Sequence, residues 1–497
     1  MAKEAESTQK EAVVETRDAD EFASLLKQSF KLRTERATTE VENAVTTLVC
    51  QALADTTVIK EDVLDTIGEM IIRIDEKLTA QVNEMIHAPE FQQIESAWRG
   101  LHYLVFNSET DSMLKIRVLN ASKNELYRNL RRFGGAQWDR SALFYQLYET
   151  EFGQVGGEPF AALVGDYYFS HLPADIQLLK DISKIASTAH CPFIAGAEPA
   201  LLGMDSWIEL SKLRDMGTIF DAPEYAAWKG LRDSDDSRYI GLCMPRVLGR
   251  LPYGAKSEMV EEFAFEEDTD GHRGDKYGWI NAAYAMAANI NRAFKKYGWC
   301  TRIRGLQSGG EVINLPTHTF PTDDGDVDLK YLTEIAIGDR REYELAKSGL
   351  IPFGHLISAN KAGFFSAQSV YRPKFYLGAN GVEATASDNL SARLPYIFAA
   401  ARFAHHLKCM VRDKVGSFME KDELQRWLQG WITEYIDDDP ANSSETTKAK
   451  KPLADANIKI TADEENPGFY NAIFYLRPHY QLEGADIGMS LFSRLAG

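Results

Sequence analysis

The sequence is poor in the residues and patterns from which metal, disulfide or membrane chemistry is built. Five cysteines occur in 497 residues: Cys50, Cys191, Cys243, Cys300 and Cys409. They are scattered, odd in number and never spaced as Cys-x-x-Cys, which argues against structural zinc or a disulfide framework and fits a reducing cytosol. No run of about 18 apolar residues exists, so no membrane span is expected. The opening MAKEAESTQKEAVVETRDADE is acidic and lacks the apolar core of a signal peptide. Positive charge is also in deficit: 55 Lys and Arg face 73 Asp and Glu, a net charge of -18. That balance argues against a general nucleic-acid or membrane-surface binder.

Catalytic signatures are missing too. There is no GxxxxGK[ST], no GxGxxG after a strand, no HExxH and no GxSxG. His405 and His406 are adjacent, so they point to different sides of a helix and cannot chelate one metal as an i,i+4 pair would. DSDDS (233–237) starts like a calcium loop but lacks the later Gly and Glu, and reads as a turn or an Arg-pairing cluster. The Arg-Gly-Asp at 273–275 is a chance tripeptide in a chain of this length. Nothing supports a catalytic site, a cofactor or a metal.

What is present is a large, ordinary core. With 44% hydrophobic and 26% charged residues the chain is a typical globular protein, and its length suggests two to four domains. The organising stretch is 159–254. PFAALVGDYYFS (159–170) is an apolar run ending in a turn. LPADIQLLKDISKIASTAH (172–190) repeats Ile176, Leu179, Ile182, Ile185, Ala186 and Ala189 at helical spacing, and CPFIAGA (191–197) reads as a strand. Two more helical stretches lead to SRYIGLCMPRVLGRLPYG (237–254), whose Tyr239–Met244 core is a buried strand. This is the βαβ rhythm of a largely parallel sheet covered on both faces.

Around that core the chain divides into four regions. Residues 1–38 are polar and expected to stay disordered until a partner orders them. Residues 39–150 are α-rich. Within them, Val63, Ile67, Met70, Ile74, Leu78, Val82 and Met85 form one apolar stripe, which either packs within its own domain or docks a separate chain. Pro89 opens the next helix, MLKIRVLN (113–120) alternates as a strand does, and Ser122 with Glu125 forms a capping box. The α/β rhythm fills 151–385. It includes an acidic insertion (257–279), a small-residue helix (281–299) suited to close packing on a sheet, loop plus strand over 305–320, and strand, helix, strand over 334–356.

In 386–497 the spacing predicts a long helix over 391–419. Phe403, Leu407, Met410, Val411, Val415 and Phe418 fall on one side; Arg402, His405, His406, Lys408 and Arg412 fall on the other. This basic face is either simply solvated or docks an acidic partner. Residues 436–457 read as a polar linker. FYNAIFYLRPHYQ (469–481) and ADIGMSLFSRL (485–495) read as a terminal pair of strands around a Glu483–Gly484 turn. Strands at a terminus either join their own sheet or extend another chain's edge.

Five long blocks then carry a resemblance: 181–207, 226–254, YGWCTRIRG (297–305), GDRREYELAKSGLIPF (338–353) and LSARLPYIFAAARFAHHLKC (390–409). In this order they resemble the large subunit of the type VI secretion contractile sheath, the TssC/VipB family, over roughly residue 40 to the end. The resemblance implies an α/β fold (α+β overall) with a helical N-terminal region, a central mixed or parallel sheet core like that of phage tail sheath proteins, and C-terminal strands exchanged between subunits. It implies a structural, non-enzymatic role in the bacterial cytoplasm without nucleic acid or membrane insertion.

The implied partners are a small sheath subunit (TssB/VipA type), an inner-tube hexamer protein, neighbouring copies of the same chain, the baseplate, and a ClpV-type AAA+ ATPase that acts on the contracted sheath. On that reading Val63, Ile67, Met70, Ile74 and Leu78 are candidates for packing with the small subunit. Arg402, His405, Lys408 and Arg412 are candidates for touching the inner tube. Ile473, Tyr475, Ile487, Met489 and Leu491 lie on the candidate inter-subunit strands. The rival readings are a phage-type sheath built from one chain, and an α/β enzyme whose site residues converge only in space.

Overall fold

A computed structural model of the chain describes residues 43, 63–212, 216–271, 274, 276–322, 324–356, 361–378, 381–414, 420–462 and 470–481. The chain forms two compact units. The smaller gathers its described residues up to Glu95 with Arg250–Gly278 and His318–Lys330; the larger holds Ser96–Gly249, Trp279–Thr317 and the chain from Tyr331 on.

In the smaller unit, helix α1 (Val63–Ile86) is tied to the acidic insertion by polar groups. The Asn83 carboxamide donates to Glu266 O (3.0 Å) and accepts from Asp268 N (2.8 Å), as a neighbouring strand's peptide would. Buried Arg250 is held by Glu267 (2.5 and 2.9 Å) and by Glu95 (2.6 and 3.3 Å), and Tyr253 N also donates to Glu267. Breaking one arm of such a network leaves a desolvated charge, so the unit depends on its integrity.

The larger unit is built on six strands. In chain order these are β1 (Leu163–Phe169), β2 (Phe193–Ala197), β3 (Ile240–Met244), β4 (Glu311–Val312), β5 (Ile351–Leu356) and β6 (Lys361–Phe364). Their spatial order is β1-β2-β3-β5-β6-β4. The first four positions pair in parallel, and β5-β6-β4 are antiparallel. This is the expected βαβ sheet with an antiparallel extension.

Both faces are buried, and the strands show it by period two. On β2, Phe193, Ala195 and Ala197 enter one core and Ile194 the other; on β3, Ile240, Leu242 and Met244 oppose Cys243 in the same way. The first face is covered by α4, whose Ile176, Leu179, Ile182 and Ile185 are all buried; here α2 is Pro89–Phe106, α3 is Lys123–Arg132 and α4 is Pro173–Thr188. The second face is covered by α5 (Ala282–Tyr297), where Ala283, Ala285, Met286, Ala287 and Ile290 let the helix lie close to the strands. A Cβ added at Gly100 of α2 would overlap the Tyr284 ring of α5, so glycine is required at that crossing.

Several local expectations hold. Pro89 is the first residue of α2, and Ser122 and Glu125 complete the capping box of α3. Others do not. Residues 113–120 lie outside the strands of the described residues; Lys115 and Arg117 pair with Glu158 and Arg117 with Glu151, while Met113 and Val118 stay exposed. Alternation needs a neighbouring strand, and the described chain places none there. Residues 334–337 form no strand either; Glu334 accepts from Arg246 N (3.0 Å) in an irregular segment.

The long helix expected over 391–419 is α7 (Leu394–Lys414), with 415–419 outside the described residues; a separate helix, α6 (Gly381–Ser391), precedes it. The break between the two is made by backbone pairing: Ser369 N donates to Ala392 O (2.8 Å) and Leu394 N to Ala367 O (3.0 Å). Among the described residues no helix is long and apolar enough to cross a membrane.

Candidate assembly interface

The surface best suited to joining chains lies at the end of the larger unit. Helix α8 (Lys421–Thr433) follows α7, and then come β7 (Leu453–Ala462) and β8 (Tyr470–Pro478), a two-stranded antiparallel sheet. Register is set by pairs such as Asn457↔Tyr475, Lys459↔Ile473 and Thr461↔Asn471. Strand β7 was not expected: residues 436–457 read as a linker because their polar residues dominate. The structure corrects this, with a short helix at Glu445–Lys450 capped by Ser444 and the strand starting at Leu453. The signal was the alternation Ala456, Ile458, Ile460, which the lysines and acids between them obscured.

One face of this hairpin is dry. Leu453, Ala456, Ile458 and Ile460 pack with Phe403 and Leu407 of α7, Leu428 and Ile432 of α8, and Trp299. The other face is open. Ile473 is 47% and Tyr475 58% exposed, so two of the expected inter-subunit residues stand on an exposed apolar strip. Ile487, Met489 and Leu491 lie outside the described residues.

The two edges of the hairpin also differ. On the β7 edge, Leu453 N donates to Tyr435 O (3.3 Å) and Asp437 N to Leu453 O (2.9 Å). Further along, the Gln429 carboxamide donates to Ala456 O (3.1 Å) and accepts from Ile458 N (3.0 Å), and Gln425 Oε1 accepts from Ile460 N (3.4 Å). On the β8 edge no strand lies among the described residues. The chain just beyond β8 is clamped at Gln481. Gln481 accepts from Arg304 Nε (2.8 Å), donates to Thr301 O (2.8 Å) and, through its backbone N–H, donates to Tyr396 Oη (2.9 Å).

The basic row of α7 is engaged within the chain: His405 is buried, and Arg402, Lys408 and Arg412 are partly buried. The Nε2 of His405 donates to Ala189 O (2.9 Å). Burial pushes its pKa down to about 4, with the bond to Ala189 opposing and His190, Arg402 and His406 adding to the shift; His405 is therefore neutral at pH 7. Lys408 donates to Tyr148 Oη (2.7 Å) and sits 3.7 Å from the Phe152 ring centroid. Arg412 donates to Gln154 O (2.7 Å), and Arg402 lies over Phe294. The 3.6-residue period sorts residues by side but does not say what covers each side. Here the segment 148–154 and α5 cover the basic one, by cation–π contacts and hydrogen bonds.

Of the α1 stripe, Ile74 and Leu78 are half-buried in the chain by itself, and Met85 is exposed. Val63, Ile67 and Met70 lie within α1, but their side chains fall outside the description. A second outward feature escaped the sequence reading. Phe375 and Leu377 are 78% and 88% exposed on a loop rooted in Asp388, which accepts from Tyr371 Oη (2.9 Å), Arg238 Nη2 (2.8 Å) and Lys374 N (2.6 Å). Nothing in the spacing of 371–388 announces that hub.

The geometry thus defines a mixed α/β protein that presents, among its described residues, a sheet edge and apolar strips on its surface. Family comparison agrees. Residues 68–371 match the EvpB/VC_A0108 tail sheath N-terminal domain, and residues 383–495 match the EvpB/VC_A0108 tail sheath gpW/gp25-like domain. The chain belongs to this tail sheath family. It is 59% identical over 480 residues to the type VI secretion system sheath protein TssC1 of Pseudomonas aeruginosa, covering 97% of this chain and 96% of that protein. A cryo-EM structure of the anti-feeding prophage baseplate, six-fold symmetrised, is similar at a TM-score of 0.37 and 10% identity, over 77% of this chain and 84% of that one.

Proposed function

We propose that the chain is the large, structural subunit of a type VI secretion contractile sheath, acting in the bacterial cytoplasm. It pairs with a small sheath subunit, and the heterodimers stack as six-fold rings into a helical tube around an inner tube of hexamers. The tube docks on a baseplate, contracts to drive the inner tube outward, and is afterwards taken apart by a ClpV-type AAA+ ATPase. The observation that carries this reading is the C-terminal hairpin: an exposed apolar strip at Ile473 and Tyr475, an edge on β8 that no strand among the described residues pairs, and a chain clamped at Gln481 just ahead of the alternating segment 485–495. Heterologous, non-closing contacts of this kind build helical filaments.

Strand exchange through 485–495 keeps neighbouring subunits connected while they slide and rotate. The small subunit packs along α1, through the stripe that includes Ile74 and Leu78. The basic row of α7 is given no role at the inner tube, because His405 and Lys408 are already committed inside the chain. Contraction draws on conformational energy: each ~400 Å2 of additional apolar burial per subunit contributes about 10 kcal/mol before association costs.

Negative-stain microscopy of the chain alone and co-expressed with its small subunit tests the reading. Ridged hollow tubes only on co-expression are expected. Tubes from the chain alone would indicate a single-component, phage-type sheath, and discrete particles in both samples would return the chain to the enzyme class.

A further inference from the structure

The backbone row on the outer edge of β7 is occupied at Leu453, at Ala456 O and at the N–H groups of Ile458 and Ile460. Tyr435 and Asp437 take Leu453 by a parallel bridge. Gln429 then takes Ala456 O and Ile458 N, and Gln425 takes Ile460 N. In a parallel pair, one residue's N–H bonds the carbonyl before its partner and its C=O bonds the N–H after it. The single carboxamide of Gln429 reproduces that pattern around Asn457, continuing the sense of the Ile436–Leu453 bridge. Gln425 and Gln429 are four apart on α8, so one helix face supplies both. The main-chain groups they satisfy belong to alternate residues, 456, 458 and 460, the set that points away from β8. Helix α8 therefore fills the place where another strand would add.

We propose that Gln429, supported by Gln425, is a specificity-determining edge guard that confines strand addition to the outer edge of β8. The occupant there is the segment 485–495 of a second copy of this chain, so the inference rests on the strand-exchange reading above. Unpaired edges template any strand that reaches them, and a hairpin open on both sides could join two neighbours at once. With one edge closed, each hairpin accepts one strand, and the chain of subunits extends without branching. The guard also sets polarity, because the accepting strand is the one clamped at Gln481.

Cysteine cross-linking in the full chain, co-expressed with its small subunit, separates the two claims. Ile473 on β8 and Lys459 on β7 are cross-strand partners at the same level of the hairpin, both exposed. One version of the chain carries Met489→Cys and a second, differently tagged, carries Ile473→Cys or Lys459→Cys. Met489→Cys alone measures the background of the native cysteines. Dimers through 489 and 473 are expected, with those through 489 and 459 at background. In the Gln425→Ala, Gln429→Ala background the link to 459 should rise at least ten-fold.

A link to 459 as abundant as that to 473 with both glutamines in place overturns the guard while leaving strand exchange standing. No rise at 459 in a double-alanine protein that melts within a few degrees of wild type also overturns it. If 489 links to 473 only within one chain, strand exchange fails, but the guard is still read from the rise at 459. Should the double-alanine protein not fold, Gln429→Glu, of the same shape but without the donor to Ala456 O, is read the same way.

Discussion

The central sheet and the terminal hairpin treat their exposed boundaries in opposite ways. The six-stranded sheet is buried on both faces, and it ends at β4 in a strand of two residues, too short to template another. Its β1 end is dressed by side chains: Tyr167 Oη donates to Ala121 O (2.5 Å) and Lys123 Nζ to Tyr168 O (2.6 Å). The hairpin buries one face, leaves Ile473 and Tyr475 outside and, among the described residues, has only its β7 edge engaged. The first arrangement favours stability of a single chain. The second leaves apolar area and, among the described residues, one strand edge for another strand to complete.

That contrast can be broken most directly at the core. Phe353 of β5 is fully buried, and Phe353→Ala should cost about 3–5 kcal/mol, read as a fall in the urea midpoint of tryptophan fluorescence. Ile473→Ala on the open face of β8 should stay within about 0.5 kcal/mol. Equal losses at the two sites would mean that the hairpin is as self-sufficient as the sheet.

The next effect is acid sensitivity at the join of α7 with the segment 148–154. His405 has its ordinary pKa of 6.5 lowered to about 4 by burial. Its contribution is therefore complete above pH 6.5 and is lost as pH falls toward 4, where the unfolded chain takes up a proton that the folded chain refuses. The full shift corresponds to about 3 kcal/mol. His405→Leu should flatten the decline of stability between pH 6.5 and 4 relative to wild type; an unchanged slope would show that other groups govern it.

A smaller effect is expected at the Asp388 hub. Asp388→Ala strips the acceptor from buried Tyr371 Oη and from Arg238, and should cost about 1–3 kcal/mol. It should also speed proteolysis of the loop carrying Phe375 and Leu377, seen as early cleavage within 372–378. Loop cleavage no faster than in wild type would show that the hub does not hold the tip.

The smallest change in stability should accompany a large change in assembly. Tyr475→Thr keeps a strand-forming residue on an exposed position, so unfolding should move by no more than about 0.5 kcal/mol. Tube yield on co-expression with the small subunit should fall clearly. Normal tubes from this variant would remove the exposed strip from the interface.

Much of the architecture was legible in the chain itself because it rests on local periodicity. Ile176 to Ile185 marked one helix face, the apolar cores of β2 and β3 marked strands buried on both sides, and Ser122 with Glu125 marked a helix start. These are signals carried within one or two turns. The candidate interface was only half legible. The exposed strand of Ile473 and Tyr475 was visible in the sequence, but its partner β7 was hidden among charged residues, and the residues paired with it were instead expected at 485–495.

By itself, then, the sequence determined the fold class, the covered parallel sheet, the lack of recognisable reactive motifs, and the family through long blocks of resemblance. Only the tertiary structure decided what covers each face and edge. A period shows that Arg402, His405, Lys408 and Arg412 share a side of α7; it takes Tyr148, Phe152 and Gln154, some 250 residues earlier, to turn that side inward. Likewise Gln425 and Gln429 are unremarked helix residues until β7 folds back against them. The physical reason is the same in both cases. Local pattern fixes the direction of a side chain relative to its own backbone, whereas hydrogen bonds and burial depend on which distant segment arrives there.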